Sequence, residues 1–402
     1  CANVGESADA PHGRPYRAAH RTPKRNNTEG GARVPTIVLV TTRPVRAADV
    51  AKRAGVSVTT VSFVFGGKAR GNVSAATQER ILQVADELGY RPNKLAQSLR
   101  HSRTHTIALL TDGIASSPFA GRLLAAAEQR ASELGQALLL RDTHFRSERD
   151  QEALDDFASR RVDAVVYATM GLQRLVDLPT TPLPLVLANC FQEPARHPSA
   201  IPDEVAVGQA AARLLTSTGH RHIVMLSGPG RPGHGTRVVD VAAARRARGF
   251  RAGLRSTGVA RAAGEVRVCG WTIGDGYRGA VAVLTADGDR LAAASDRPTS
   301  IFAVNDRVAT GALLAALRLG VRVPHELSIV GVDDQEELAD QTVPALTTYR
   351  LPHEALGTWA VDTALDMITR RRRTAADPAV DAPRLFPFEL IERDTVAPPP
   401  AT

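Results

Sequence analysis

Residues 47–65 read AADVAKRAGVSVTTVSFVF, and this stretch decides the fold of the amino-terminal part of the chain. It predicts a helix, a tight turn and a second helix, because Gly55 tolerates the positive φ that the turn needs and Ser57 is a good N-cap. The apolar side chains that two crossed helices would bury are Val50, Ala51, Ala54, Val56, Val61 and Val64. The stretch therefore predicts a helix-turn-helix, with a generic helical hairpin inside a larger core as the alternative.

A helix-turn-helix places its second helix in the major groove of DNA, with the side chains near the amino terminus of that helix facing the base edges. The residues predicted to contact DNA in this way are Val58, Thr59, Thr60, Ser62 and Phe63. Nearby basic side chains would meet phosphates, which position a protein on DNA without reading its sequence. These side chains are Lys52, Arg53, Lys68, Arg70, Arg91 and Lys94. The alternative for each of them is a solvated surface charge without a DNA contact.

The positive charge of the chain is concentrated at its amino-terminal end. The formal net charge is +8, and residues 1–43 carry seven Lys and Arg against three Asp and Glu. Residues 44–103 carry ten basic residues against four acidic ones, whereas residues 104–402 carry 33 basic residues against 35 acidic ones. This asymmetry indicates a nucleic-acid-binding module joined to a nearly neutral one.

Length and cysteine usage bound the class of protein. A chain of 402 residues suits two or three domains and can bury a sizeable core without metal ions or disulfides. The three cysteines, Cys1, Cys190 and Cys269, are far apart and lack metal-ligand spacing, which indicates a reducing compartment. We find neither an apolar run of about 18 residues nor the h-region of a signal peptide. We therefore expect a cytoplasmic protein with no membrane partner, no metal site and no cofactor.

Beyond Thr104 the chain alternates apolar runs with amphipathic helical stretches. The run Thr106 to Leu110 precedes a helical stretch that ends at Leu134, and Ile301 to Val304 precedes one from Val308 to Leu319. Such alternation predicts parallel sheets flanked by helices on both faces. About six units of this kind are more than one sheet needs, so the expected fold class is α/β with two lobes, preceded by an all-α headpiece.

The composition divides the chain into five parts. We expect a disordered basic arm at residues 1–43, a helix-turn-helix headpiece at 44–92, a short helix and linker at 93–103, the α/β domain at 104–395 and a tail at 396–402 that is frayed over Pro398 to Pro400. Whether the arm has a role is left open.

Ligands of open α/β sheets bind at the carboxyl ends of the strands, so residues just past the apolar runs are candidates for a binding site. They are Ser117, Phe119, Asp142, Asn305, Asp306 and Asp333. Asp142 and Asp306 have an alternative role as caps of the helices that follow them.

Catalytic motifs are not found, which disfavours an enzyme and leaves no predicted catalytic residue. The sequence has no G-x-S-x-G and no H-E-x-x-H, and its Gly-rich residues 228–236 lack the Lys of a P-loop. His220 and His222 are predicted to be structural rather than metal ligands. A sugar-binding protein without DNA function would lack the headpiece and the basic amino terminus.

Two further segments make the headpiece similar to a known family. Together with residues 49–65, residues 73–81 (VSAATQERI) and 87–93 (ELGYRPN) resemble the headpiece of the lactose-repressor (LacI/GalR) family of bacterial transcription regulators. The resemblance implies a third helix at about Thr77 to Leu88 and a hinge helix at Lys94 to Arg100 that folds on operator DNA. It also implies that Leu99 wedges into the minor groove at the centre of a palindrome, with an ordinary apolar contact as the alternative.

Two positions depart from the family pattern. Phe63 stands where the family often has Arg or Lys, and Gly66 stands where Asn is usual. Phe63 cannot make the bidentate guanine contact of an arginine, although it can pack on a thymine methyl group. The operator sequence is therefore not inferred from relatives.

From Thr104 to about Thr395 the chain resembles the regulatory core of the same family, which is similar to periplasmic sugar-binding proteins with a ligand between two lobes. The matching segments are residues 103–107 (RTHTI), 218–223 (TGHRHI), 301–306 (IFAVND), 328–334 (SIVGVDD) and 344–348 (PALTT). Arg246 matches the ligand-binding arginine of the family, whose guanidinium can fork onto vicinal hydroxyls, while Trp271 or Phe119 can stack on a pyranose. The alternatives to these binding roles are a surface ion pair for Arg246 and a position in the core for Trp271.

The resemblance also implies how such a protein works. It implies a repressor that binds palindromic double-stranded operator DNA as a homodimer, with a tetramer as the alternative, in the bacterial cytoplasm at the nucleoid. A small-molecule effector, a sugar, would change the hinge helices by binding the open and closed lobes with different affinity. Serines replace the expected Asp and Asn at residues 116–117, so the identity of the effector and the sign of its effect are left open.

Overall fold

The chain divides into two units, with the boundary at residues 92 and 93. The computed structural model describes residues 43, 45–91, 103–114, 120–229, 238–258, 264–371 and 382–400. Several predictions therefore concern residues outside the described ranges: the arm before residue 43, the hinge helix with Lys94 and Leu99, and the loop with Ser117 and Phe119.

The first unit contains three helices, α1 (Ala47–Ala54), α2 (Val58–Phe65) and α3 (Ala75–Glu87). Gly55 ends α1 with a φ of 66°, and the Ser57 side chain caps the first turn of α2. The helix, turn and helix predicted over residues 47–65 are confirmed, and Gly55 and Ser57 have the roles expected of them. Helix α3 begins at Ala75 rather than Thr77, since Ser74 is its N-cap.

The three helices share one apolar core. Its buried members are Val50, Ala51, Ala54, Val61, Ile81, Val84 and Ala85. Val56 and Val64 pack against it, and the rings of Phe65 and Tyr90 meet edge to face with centroids 5.3 Å apart. The apolar face predicted for α1 and α2 is therefore the face that the headpiece buries.

The second unit has two lobes, and the first is built on a largely parallel sheet. Its strands are β1 (Thr106–Thr111), β2 (Ala137–Asp142), β3 (Ala164–Leu175), β4 (Leu185–Gln192), β5 (Ser199–Pro202) and β12 (Arg384–Phe386), in the order β12-β5-β4-β3-β1-β2, with β7 (Val238–Asp240) antiparallel to β3. The helices of this lobe are α4 (Gly121–Glu133), α5 (Asp150–Ser159) and α10 (His353–Arg371). Ile107 and Leu109 face a core that α4 and α10 complete, whereas Ala108 and Leu110 face the core under α5. The alternation of β1 thus places helices on both faces of the sheet.

The second lobe repeats this arrangement. Its strands are β6 (Ile223–Ser227), β8 (Gly264–Val268), β9 (Ser300–Ala303), β10 (Ser328–Asp333), β11 (Thr347–Arg350) and β13 (Glu389–Ile391), in the order β13-β11-β10-β9-β6-β8. Its helices are α6 (Glu204–Ser217), α7 (Ala242–Ser256), α8 (Ile273–Leu284) and α9 (Asp306–Arg318). The predicted α/β fold with two lobes is therefore confirmed. Among the described helices, none is both long and apolar enough to cross a membrane.

The last described residues pack on the second lobe. Thr395 is buried and its hydroxyl donates to the Ile329 carbonyl at 2.6 Å. The Ala397 N–H donates to the Ser328 hydroxyl at 3.0 Å, and the Ala397 carbonyl accepts from His220 Nε2 at 2.9 Å. The packed domain thus extends past the expected end at residue 395, because the Val396 side chain packs against the core of the second lobe and the Ala397 backbone is hydrogen-bonded to it. His220 has the structural role that was predicted for it.

Helices α6 and α7 approach closely because Gly208 has no side chain: a Cβ there would lie 2.1 Å from the Arg246 carbonyl oxygen. We expect Gly208→Ala to lower the free energy of unfolding of the second unit by about 1–3 kcal/mol, the usual cost of overpacking a core. Chemical denaturation measures this change. Gly121→Ala is the control, since a Cβ at Gly121 meets no atom within 4 Å. Equal destabilisation by the two substitutions would contradict the helix contact.

Candidate functional site

A cavity of about 270 Å³ lies between the two lobes of the second unit. The first lobe contributes Met170, Gly171, Leu172 and Asn189 from β3 and β4. The remaining lining residues are Glu204, Ala242, Arg246, Trp271, Thr272, Asn305, Arg307, Asp333, Gln335 and Leu351. Apolar side chains and a few convergent polar groups make this a suitable site for a small molecule.

Arg246 is the buried cation of this cavity. Only 4% of its side chain is exposed, and its Nη2 donates to Glu204 Oε1 at 2.9 Å while Nε donates to Glu204 Oε2. Its Nη1 donates to the Val304 carbonyl. Glu204 is the first residue of α6 and is buried as well. The guanidinium is therefore neutralised by a bidentate carboxylate within the protein.

Asp333 brings a second carboxyl group to the cavity at the end of β10. Its Oδ1 lies 4.0 Å from Arg246 Nη2, and its backbone has a φ of 120°. Burial raises the pKa of Asp333 well above its usual range, and the nearby carboxyls of Asp306 and Glu204 add to this while Arg246 opposes it. Asp333 therefore binds a proton more readily than a solvated aspartate and can donate a hydrogen bond.

Two polar groups of the lining have no hydrogen-bond partner among the described residues. These are the buried Trp271 Nε1 and Asn189 Oδ1. The Asn189 amide nitrogen donates to the Thr169 and Met170 carbonyls at 2.9 and 3.2 Å, which leaves its oxygen as an acceptor. A buried donor and a buried acceptor without partners are costly unless a ligand or water satisfies them.

Trp271 lies over Gly228, where a Cβ would be only 2.3 Å from the indole ring. Asn305 fixes the same loop, because its Nδ2 donates to the Trp271 carbonyl at 3.2 Å. The Asn305 Oδ1 accepts from the Val308 N–H at 2.8 Å and caps α9. The sequence around Asn305 therefore orients the indole as well as starting a helix.

The structure brings four of the predicted effector-binding residues to the cavity and leaves two outside its lining. The four are Arg246, Trp271, Asn305 and Asp333. Asp142 instead accepts from the His144 N–H at 2.8 Å. Asp306 is fully buried and accepts from the Thr348 hydroxyl at 2.6 Å and from the Gln335 N–H at 2.8 Å. Both carboxylates serve hydrogen bonds within the protein.

Several lining residues were not found from the sequence. Asn189 directly follows the apolar residues 185–188, so the strand-end rule could have found it. Glu204 carries no such signal, because its partner Arg246 is 42 residues away in the chain. Among the described residues, no group of three or more His, Cys, Asp or Glu side chains could hold a metal ion.

The second helix of the headpiece presents a small apolar and hydroxyl surface. Val58 and Thr59 are exposed, whereas Thr60, Ser62 and Phe63 are partly buried. The basic side chains predicted to meet phosphates and described by the structure, all of them exposed, are Lys52, Arg53, Lys68, Arg70 and Arg91.

Two sequence families match the chain. Residues 48–93 match the bacterial regulatory proteins of the lacI family, and residues 212–396 match a periplasmic binding protein-like domain. The first match contains the three helices of the headpiece, and the second contains most of the lobe that holds Arg246 and Trp271.

Individual relatives align over most of the chain. The HTH-type transcriptional regulator DegA of Bacillus subtilis is 31% identical over 356 residues, which cover 87% of this chain and 97% of DegA. The HTH-type transcriptional repressor PurR of Vibrio cholerae is 30% identical over 357 residues, with the same coverage of 87% and 97%. The lac repressor bound to ONPG in its repressed state matches with a TM-score of 0.69 and 26% identity, covering 88% of this chain and 100% of that one. These relatives are regulators of transcription and not enzymes.

The burial of Asp306 predicts that the stability of the second unit depends on pH. Burial raises its pKa to about 7, although hydrogen bonds from Thr348 and Gln335 oppose the shift. Because the pKa is higher in the folded than in the unfolded protein, the folded protein holds the extra proton between about pH 4 and pH 7. Its contribution to stability is complete below that window and declines as the pH rises through it, by at most about 1.4 kcal/mol per pH unit.

We expect Asp306→Asn to flatten this decline in the free energy of unfolding, measured by denaturation at several pH values. Asp289→Asn is the control, because 91% of the Asp289 side chain is exposed. An Asp306→Asn protein with the slope of the wild type would show that another group is responsible.

Proposed function

Because the chain belongs to the lacI family of bacterial regulatory proteins and is a DNA-binding transcriptional regulator, we propose that it represses transcription from a palindromic operator as a homodimer. We further propose that a sugar bound in the cavity between the lobes controls its affinity for the operator. One observation carries this proposal: the same chain contains a basic helix-turn-helix headpiece and a two-lobed domain. The cavity of that domain is lined by Arg246, Trp271 and Asp333.

The headpiece supports sequence-specific binding. Val58 and Thr59 are exposed at the amino terminus of α2, the part of a recognition helix that faces base edges. In this proposal Phe63 contacts thymine methyl groups in the major groove. Leu99 of the hinge helix inserts into the minor groove, and Lys94 of the same helix contacts a phosphate.

An exposed apolar patch on α9 supports the homodimer. Leu314 and Leu317 are three residues apart on this helix and are 47% and 78% exposed. Exposed leucines on one helix face indicate a surface that a protein partner covers. The lac repressor, a relative, binds operator as a dimer. A second copy of the chain on this face would hold two headpieces over two half-sites.

We expect duplexes selected from a random pool by the wild-type protein to share a palindrome with a central pyrimidine–purine step. Leu317→Arg is expected to make the protein a monomer, because it places a charge in the proposed interface. It should weaken binding of the palindrome at least about tenfold, since each half-site is then bound alone. Sedimentation velocity and electrophoretic mobility shifts measure the two effects.

Val268→Arg is the matched control, because Val268 is also an exposed apolar residue of the second lobe. If the wild-type protein enriches no sequence at low salt, the headpiece does not read DNA as proposed. A Leu317→Arg protein that remains dimeric would exclude the α9 face.

The charges and unpaired groups of the cavity support a neutral polyol as effector. Two guanidinium groups, Arg246 and the exposed Arg307, and two carboxyl groups, Glu204 and Asp333, line the cavity, and Glu204 already neutralises Arg246, so little net charge is left for an ion. The Trp271 N–H and the Asn189 oxygen offer one donor and one acceptor, which hydroxyl groups satisfy because each hydroxyl both donates and accepts. The indole ring of Trp271 suits the apolar face of a pyranose.

Intrinsic fluorescence tests the effector. The chain has two tryptophans, so Trp359→Phe leaves Trp271 as the reporter. We expect one or more members of a panel of free pentoses, hexoses and disaccharides to change its emission with saturable binding. Asp333→Asn should weaken that binding about tenfold or more, the usual effect of removing a hydrogen bond to a charged or buried group.

Asp142→Asn is the control, since Asp142, like Asp333, is the last residue of a strand but lies outside the cavity lining. A panel without any saturable response, or equal weakening by the two substitutions, would contradict a sugar in this cavity.

A further inference from the structure

A basic groove lies at the end of the first lobe opposite the effector cavity. It has a volume of about 400 Å³, and its polar lining consists of Arg103, Arg161, Arg371 and Asp163. Leu183, Pro184 and Ile368 are among its apolar lining residues. Arg103 lies three residues before β1 and Asp163 directly precedes β3, so the groove is at the amino ends of strands. It is therefore separate from the site between the lobes.

The three arginines of the groove come from three distant parts of the chain. Arg103 leads into β1, Arg161 follows α5, and Arg371 is the last residue of α10. The fold therefore assembles this positive charge, which no local run of the sequence explains.

The positive charge of the groove is only partly neutralised by the described residues. Asp163 is the one acidic residue of the lining, and its Oδ2 lies 3.7 Å from Arg103 Nε. Arg103 Nε is buried and has no hydrogen-bond partner among the described residues. Arg371 Nη1 donates to the Pro182 carbonyl at 2.8 Å, a neutral acceptor. Three guanidinium groups thus face one carboxylate.

The neighbouring arginine shows the usual arrangement. Arg160 Nε donates to both carboxylate oxygens of Asp156, at 3.0 and 2.9 Å. The guanidinium of Arg161 makes no ion pair or hydrogen bond with any described residue. Two adjacent arginines thus differ: Arg160 is paired within its own helix, whereas the exposed Arg161 has no such pairing among the described residues.

The backbone at Arg161 adds an independent observation. Its φ of 57° is in the left-handed region, where glycine usually ends a helix, and the following Val162 N–H donates to the Phe157 carbonyl at 3.2 Å. An arginine here costs stability that a glycine would not. The backbone conformation at this position therefore favours glycine over arginine.

We propose that this groove binds a phosphate group. A guanidinium presents parallel N–H donors that match two phosphate oxygens, and several guanidinium groups around one anion give affinity and geometry together. Leu183 and Ile368 would contact the carbon part of the ligand. The phosphate belongs either to the DNA backbone or to a small phosphate ester, and both sources offer the same chemistry to the three arginines.

Arg161→Gly tests the proposal, because glycine suits the backbone conformation and the variant should fold at least as well as the wild type. Inorganic phosphate is titrated into the full chain at constant ionic strength and without DNA, with binding measured by calorimetry. We expect saturable binding to the wild type and affinity weaker by about tenfold or more in Arg161→Gly. Arg160→Ala is the control, and its phosphate affinity should equal that of the wild type.

A second arm identifies the source of the phosphate. Binding of a selected duplex is measured across a salt series for the same proteins. If the groove holds DNA backbone, Arg161→Gly should reduce the slope of log K against log salt concentration by about 0.9 for each phosphate that the variant no longer neutralises. Phosphate binding with an unchanged slope supports a small phosphate ester.

The proposal is overturned if Arg161→Gly changes neither phosphate affinity nor the salt slope, or if Arg160→Ala changes them equally. Since the phosphate arm contains no DNA, its result is independent of whether the headpiece binds an operator.

Discussion

The contact between helices α6 and α7 is the constraint on which the effector cavity depends. The two backbones meet: a Cβ on Gly208 would lie 2.1 Å from the Arg246 carbonyl oxygen, and one on Gly249 would lie 2.0 Å from the Val205 carbonyl oxygen. This approach brings the first turn of α6 beside the Arg246 side chain, so that Glu204 reaches the guanidinium. Wider spacing would leave a buried charge without its partner, which costs about 3–5 kcal/mol in proteins.

The Glu204–Arg246 pair in turn decides the chemistry of the cavity. A free buried arginine would attract anions, but this one is held by a carboxylate and by the Val304 carbonyl. The carboxyl group of Asp333 is then left beside a cation that is already satisfied, and burial favours its protonated form. The cavity consequently offers both hydrogen-bond donors and hydrogen-bond acceptors, and it carries little net charge. Such an environment favours ligands by the placement of their hydroxyl groups rather than by their charge.

The parts of the fold that were predicted correctly are those set by local chemistry. Helix α1 ends at Gly55, which adopts a positive φ, and helix α2 begins after its N-cap Ser57. Helix α8 was missed because three glycines lower its helix propensity, yet Gly276 is needed where a Cβ would lie 2.2 Å from the Val308 carbonyl oxygen. Strands β12 and β13 were missed because each has three residues and little burial, so no alternation is visible. The packed carboxyl terminus, likewise, depends on tertiary hydrogen bonds.

The residues of the binding sites also divide into those set by local chemistry and those set by tertiary contacts. The strand-end rule finds Asn305 and Asp333 because parallel strands bring their carboxyl ends to one edge, but it cannot tell them from Asp142 and Asp306, whose carboxylates satisfy backbone and hydroxyl groups of the protein. What distinguishes these sites is the pairing of charges across the fold. In the cavity a carboxylate from another helix neutralises the arginine, whereas in the groove at the opposite end three arginines share Asp163 among the described residues. The placement of a few carboxylates thus leaves the cavity with little net charge and the groove with a net positive charge, and no residue count along the sequence contains that information.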